Sequence, residues 1–209
     1  MNADLTVVQH PLVGSLLARL RNADTSIAAF RRHLHEISKL MAFEVTRSLS
    51  TRAIEVQTPL AVARGIELER PVVLVPILRA GLGMLDGILD IVPDAIIGHI
   101  GMARDEDTRR PESYYCNLPS GIGDAEVLLI DPMLATGHSA AAAADQLKSE
   151  GARRVRFMNL VACPEGIAHF ADEHPDVPIY TAAIDKGLDD QAFIVPGLGD
   201  AGDRYFGTT

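Results

Sequence analysis

The run VLLIDPMLATGHS, Val127 to Ser139, gathers the residue types best suited to chemistry. Four apolar residues lead into Asp131, and the turn PMLATGHS then leads into an alanine-rich segment with helical character. A strand-to-helix junction of this kind points several backbone N–H groups at one spot, and the positive end of the helix dipole adds to them. Thr136 and Ser139 offer hydroxyl donors, and Gly137 lets backbone approach an anion closely. Together they suit a phosphate monoester. An ordinary strand–helix turn with a Thr/Ser cap would use the same residue types. The chain has no GxxxxGK[ST] loop, and no GxGxxG follows a strand at this site.

Two further stretches carry charge. VPILRAGLGM, Val75 to Met84, puts Arg79 at the end of an apolar run, followed by Ala80, Gly81 and Gly83. A guanidinium there can grip a diphosphate through two parallel hydrogen bonds, although an exposed strand-end arginine reads the same way. Arg104 ends a second strand, and Arg109 and Arg110 follow in the polar loop DEDTRRPES. The pair reads first as solvated charge, in a loop that could close over a reaction. The segment Ile184 to Thr208 is rich in Gly, Asp and Pro and lacks periodicity. Phe193, Ile194, Val195, Pro196 and Leu198 give this irregular tail apolar surface with which to fold back, and long structured loops tend to be functional.

These residues need a frame. Leu12, Leu16, Leu17 and Leu20 repeat at helical spacing after Pro11, and a longer helix is expected from about Ser26 to Leu49, capped by Asp24 or Thr25. RAIEVQT, Arg52 to Thr58, alternates weakly as a strand. Apolar runs predict strands at Pro71–Leu78, Ala95–Arg104, Ala125–Asp131, Val155–Cys163 and Val177–Ile184. Helices are expected between them, at GLGMLDGILDIV, at Ser139–Gly151 and at PEGIAHFADEH, where Pro164 suits the first turn. Alternating strands and helices imply an α/β fold with a mainly parallel sheet flanked by helices. Ligands then bind beyond the carboxyl ends of the strands, at the loops after Leu78, Ile130 and Ile184. With no repeat or linker, residues 1–209 are expected to form one domain.

Composition narrows the partners. The net charge of −9 argues against nucleic acid and anionic membranes. Cys116 and Cys163 are the only cysteines, too far apart to suggest a metal site, and they read as part-buried structural thiols in a reducing compartment. The N-terminus lacks the pattern of a signal peptide, and the apolar runs are too short to span a bilayer. A cytoplasmic location is expected. The seven histidines show no paired metal spacing, so His33 and His35 read as structural or surface residues, and the acidic runs near Asp105 and Asp189 as solvated loops.

An apolar strand, an acidic residue and then LATG resemble the motif that binds 5-phosphoribosyl 1-diphosphate (PRPP) in type I phosphoribosyltransferases. DPMLATG is similar to the variant found in the uracil phosphoribosyltransferases. VPILRAGLGM and IVPGLGDAGDR resemble that family's diphosphate loop and base-recognition region, in family order. The resemblance runs closely from about Glu44 onward and more loosely before it. It implies a type I phosphoribosyltransferase-like fold with N-terminal helices and a C-terminal hood. It also implies unusual backbone near Arg79 and Ala80, of which a non-proline cis peptide would be one form.

The implied reaction is uracil plus PRPP giving UMP and diphosphate. PRPP-binding roles carry over to Arg79, Arg104, Asp131, Pro132, Met133, Leu134, Ala135, Thr136, Gly137, His138, Ser139 and Asp200. Ile194, Gly199, Asp200 and Ala201 carry over to uracil, read largely by main chain, which can offer a flat ring its paired donors and acceptors. Arg79, Arg104 and Asp200 are the candidate catalytic residues, with Mg²⁺ entering as Mg-PRPP and no direct metal ligand assigned. Asp200 is also a candidate to help deprotonate the base. The resemblance further implies a homodimer or homotetramer, and GTP as an effector in some relatives. His138 stands where the family usually has a second glycine; its imidazole is expected outside the cradle. Phe193 replaces a usual tyrosine, and Arg109–Arg110 a Leu-Glu-like pair. The rival readings are an RNA-binding sensor of this fold and a purine phosphoribosyltransferase. The negative charge argues against the first, and the single acid Asp131 and the segment IVPGLGDAGDR against the second.

Overall fold

The computed structural model describes residues 4–104 and 111–208, without the side chains of Arg104, Pro111 and Glu112. Strand β1 (Leu5–Val7) precedes helices α1 (Pro11–Arg21) and α2 (Ile27–Val45). Strands β2 (Thr51–Gln57) and β3 (Val62–Leu68) follow, then β4 (Val72–Leu78), α3 (Leu82–Leu89), β5 (Ile96–Ile97), β6 (His99–Arg104) and β7 (Pro111–Asn117). The chain continues through β8 (Glu126–Ile130), β9 (Met133–Leu134), α4 (His138–Ser149), β10 (Val155–Met158), β11 (Val161–Ala162), α5 (Pro164–Glu173), β12 (Ile179–Thr181) and β13 (Ala183–Ile184). It ends with β14 (Gly187–Leu188), β15 (Ile194–Val195) and α6 (Ala201–Phe206).

The main sheet runs β1-β12-β10-β8-β4-β6-β7, with β5 also on β4. Its pairings are parallel except β6 with β7. β4 and β8 lie at its centre, which is why their sequences are continuous apolar runs rather than alternating ones. Side chains still alternate between faces. Leu74, Leu128 and Ile130 pack with Leu20, Phe30, Leu34, Ile37 and Met41 of α1 and α2. Val73, Val75, Val127 and Leu129 pack with Ala143, Ala144 and Leu147 of α4 and Phe170 of α5. Each large side chain buried this fully contributes roughly 1.5–3 kcal/mol. The outcome is the expected layered α/β fold, with the carboxyl ends of β4 and β8 side by side.

Several local expectations are corrected. α2 is capped by Ser26, whose Oγ accepts from Ala29 N–H at 3.4 Å, and not by Asp24 or Thr25. It stops at Val45 rather than Leu49, because Thr46 Oγ1 donates to Ala42 O at 2.7 Å and the chain tightens into turns. Of the polar loop expected from Asp105 to Ser113, residues Pro111–Ser113 belong to β7, which pairs antiparallel with β6. Arg109 and Arg110 lie outside the described residues. The strand expected at Val155–Cys163 is two strands, because the chain steps from the main sheet to a small one of β13, β11 and β9. β3 was not anticipated; a turn closed by Thr58 Oγ1 donating to Ala61 O at 2.6 Å pairs it with β2. Cys116 is exposed rather than part-buried, while Cys163 is buried, and both are free.

Candidate active site

The site lies where the carboxyl ends of β4 and β8 meet the C-terminal segment. An open cleft of about 230 Å³ is lined by Ala80, Asp131, Thr136, Gly137 and Ser139 on one side and Phe193, Ile194, Gly199, Asp200 and Ala201 on the other.

The first wall comes from the β8–α4 junction. β8 delivers Asp131, whose carboxylate accepts from Met133 N–H at 3.1 Å and so sharpens the turn. Gly137, at φ 84°, is the residue before α4, whose first-turn N–H groups have no partner within the helix. The loop is braced from behind by α5. A Cβ on Gly166 would stand 2.3 Å from Ala135 O, so only glycine lets the two backbones touch. Cys163 Sγ donates to Ala135 O at 3.0 Å, and burial pushes its thiol up, which keeps the proton that makes this bond. The ring of His138 stacks on that of His169, with centroids 4.3 Å apart, and His138 is not among the residues lining the cleft.

Asp131 has some surface in the cleft, yet its carboxyl sits deep among protein atoms. Burial pushes it up to about 7; the Met133 amide opposes the shift and the charge of Asp200 adds to it. A group poised near neutrality accepts hydrogen bonds from a ligand hydroxyl best once a donor or cation arrives to stabilise its charged form.

The Arg79 loop leaves β4 through a cis Leu78–Arg79 bond. It lies directly against β8: a Cβ on Gly81 would meet Ile130 O at 2.5 Å. Arg79 itself is exposed. Its Nη2 donates to Asp203 at 3.2 Å, and its guanidinium stands 5.5 Å from the Phe206 ring centroid. Arg104 ends β6, which runs beside β4, and its side chain lies outside the described residues.

The second wall, read as an irregular tail, holds real elements. β14 and β15 form a short antiparallel pair, and α6 follows. Asp189 Oδ1 shapes the turn between the strands by accepting from Gln191 and Phe193 N–H at 2.9 and 2.8 Å. Asp200 caps α6, accepting from Asp203 N–H at 2.8 Å, so one carboxylate oxygen is committed to structure. An Asp just ahead of AGDRYF was a readable cap signal, since Asp is a preferred residue at that position.

The structure thus brings together Asp131, Met133–Gly137, Ser139, Ile194 and Gly199–Ala201 as cleft lining. Arg79, Pro132 and His138 are outside the lining, though adjacent to it in the chain. Ala80, Ala192 and Gly202 were not anticipated as lining, nor Asp203 as the partner of Arg79. Among the described residues, no group of three or more His, Cys, Asp or Glu is placed to hold a metal, and no helix is long and apolar enough to cross a membrane.

Among solved structures, a hypoxanthine-guanine phosphoribosyltransferase of Bacillus anthracis has the same fold, at a TM-score of 0.53 and 13% identity over 76% of this chain and 80% of that one. With its mainly parallel sheet, flanking helices and strand-end cleft, the chain has the fold of the type I phosphoribosyltransferases. A protein of Aquifex aeolicus matches more fully, at 33% identity and a TM-score of 0.93 over 98% of this chain and 99% of that one. The sequence model of uracil phosphoribosyltransferase matches residues 7–208. A uracil phosphoribosyltransferase of Acholeplasma laidlawii is 52% identical over 98% of each chain, and one of Symbiobacterium thermophilum is 51% identical over 98% of each. The chain belongs to the uracil phosphoribosyltransferase family.

Proposed function

We propose that this chain, acting as one domain, transfers the phosphoribosyl group of PRPP to uracil, giving UMP and diphosphate. One observation carries the reading. A phosphate-type strand–helix loop, Asp131–Ser139, faces a wall of compact main chain, Ile194–Ala201, across a single cleft.

In this reading the amides at the start of α4, with the hydroxyls of Thr136 and Ser139, hold the 5′-phosphate. Asp131 accepts from the ribose hydroxyls. Arg79 and Arg104 neutralise the leaving diphosphate. The bond from C1′ to the diphosphate oxygen breaks, C1′ bonds to N1 of the base, and the N1 proton leaves. C1′ carries positive charge at the transition state, so the chain contributes mainly by positioning both partners. Asp200 lines the cleft beside Gly199 and Ala201 and is the candidate acceptor for that proton.

Asp131 and Asp200 both border the cleft, and the charge of Asp200 reaches Asp131, an oxygen-donor arrangement that suits Mg²⁺ arriving with PRPP. Bound there, Mg²⁺ would supply charge neutralisation to the diphosphate. Leu60, Val62 and Ile66 of the β2–β3 hairpin are exposed, surface that a homodimer or homotetramer would cover. Two free cysteines suit a reducing cytoplasm. GTP activation rests on the resemblance and is read by adding GTP to the assay.

The test is chromatography of product from protein, Mg²⁺, PRPP and one base at a time. UMP from uracil, with nothing from hypoxanthine, cytosine or orotate, is the expected result. Product from hypoxanthine alone would replace the reading with purine transfer. No product from any base, with GTP present, would leave a PRPP-binding sensor, to be checked by filter binding of uridine-rich RNA at low salt.

A further inference from the structure

The turn that faces the cleft on the base side is held by side chains that lie outside the cleft. Gly197, at φ 58°, sits so tightly in it that a Cβ would stand 2.0 Å from Ile194 O. One ion pair grips the main chain on both sides of this residue. Asp185 Oδ2 accepts from Gly197 N–H at 2.8 Å, and Arg21 Nη1 donates to Gly197 O at 2.7 Å. The two side chains meet fork to fork, Nη1 to Oδ2 at 2.6 Å and Nη2 to Oδ1 at 2.7 Å. Their side chains keep only 23% and 7% of their exposure, which separates this pair from surface pairs that contribute little.

The next residue is held from the same place. Arg204 donates to Leu198 O at 2.7 Å, to Leu20 O, and to Asn22 O at 2.7 Å, with its guanidinium 4.5 Å from the Phe30 ring centroid. The end of α1 is therefore the abutment for the turn, and Ile194 and Gly199, on either side of Gly197, line the cleft.

We propose that Arg21 and Asp185 are positioning residues for the base: their ion pair fixes the main chain of Ile194–Ala201 and thereby sets affinity for uracil without touching it. The inference rests on the reading that this segment faces the base. Main-chain recognition offers no side-chain freedom with which to absorb an error, and a misplacement near 1 Å costs on the order of 100-fold. Without Arg21, the shielded Asp185 carboxylate loses its counter-charge and Gly197 O loses its donor.

The test measures KM for uracil and for PRPP separately, with Arg21→Ala, Arg21→Lys and Asp185→Asn. Beside it, hydrogen exchange of the full chain without substrates is followed at residues 190–201 and 131–139. We expect Arg21→Ala and Asp185→Asn to raise the uracil KM about tenfold, equivalent to about 1.4 kcal/mol, while the PRPP KM stays nearly unchanged. Arg21→Lys, which keeps the charge but not the fork, should fall between. Exchange should quicken at 190–201 and stay unchanged at 131–139. A uracil KM near the wild-type value in folded variants would overturn the proposal. So would both KM values rising together with exchange quickening throughout, or failure of all three variants to fold, since the pair would then be a general brace. A wild-type protein that makes no UMP would sink the functional reading alone, and exchange would still decide whether the pair holds the turn.

Discussion

The two walls of the cleft are built on different principles. The phosphate wall, Asp131–Ser139, is contiguous in sequence, springs from a buried central strand and is pressed against α5 through Gly166 and Cys163. The base wall, Ile194–Ala201, has one two-residue strand and only the first residue of a short helix, and is moored by Arg21 and Arg204 to the far end of the chain. A phosphate is a generic anion that any strand–helix junction can bind, so one local motif suffices. A flat base must be met at several main-chain atoms at once, and that geometry is imposed from a distance.

The largest effect is expected on the anion side. Arg79→Ala should lower kcat/KM by roughly 100–1,000-fold, as loss of one charge-stabilising donor does elsewhere; steady-state kinetics with varied PRPP reads it. A fall below about tenfold would move the diphosphate role to other cations.

Asp131→Asn separates binding from stability. With the folded carboxyl raised to about 7 from its ordinary value of 3.8, the native state holds a proton that the unfolded state releases. Stability of the free protein should therefore fall as pH rises from about 4 to about 7. Asp131→Asn should flatten that slope and melt higher than wild type at pH about 8 by a few degrees, while losing activity. Thermal melts across pH, with and without Mg-PRPP, check this; the ligand should restore wild-type stability at high pH. A wild-type melting curve that is flat over that range would refute the burial argument.

Asp203→Asn should do little. Its pair with Arg79 is exposed, 57% and 29% at the two side chains, and such pairs contribute about 0–1 kcal/mol. The PRPP KM should move by less than about fivefold; a larger change would make Asp203 part of the PRPP site. His138→Gly should be smaller still relative to the usual glycine, since the imidazole already stacks on His169. A change beyond tenfold in the PRPP KM, about 1.4 kcal/mol, would put the ring in contact with phosphate.

The same contrast explains what could be read in advance. The sheet strands were visible because burial on both faces leaves long apolar runs, as in β4 and β8. The phosphate loop was visible because its donors are neighbours in the chain. β3 was hidden because VARGIEL, with its exposed residues, shows neither clean alternation nor an apolar run. The role of Arg21 was hidden because its partner Asp185 lies 164 residues away, and nothing local marks an arginine at a helix end as a brace. In the Gly- and Asp-rich tail, α6 was obscured by its shortness, although Asp200 carried the cap signal.

The most direct measurement of the central claim is a crystal structure with UMP bound. The account predicts the phosphate against the amides and hydroxyls of Thr136–Ser139, and the uracil ring hydrogen-bonded to main chain within Ile194–Ala201. UMP bound elsewhere, or in this cleft with base and phosphate exchanged between the walls, would contradict it.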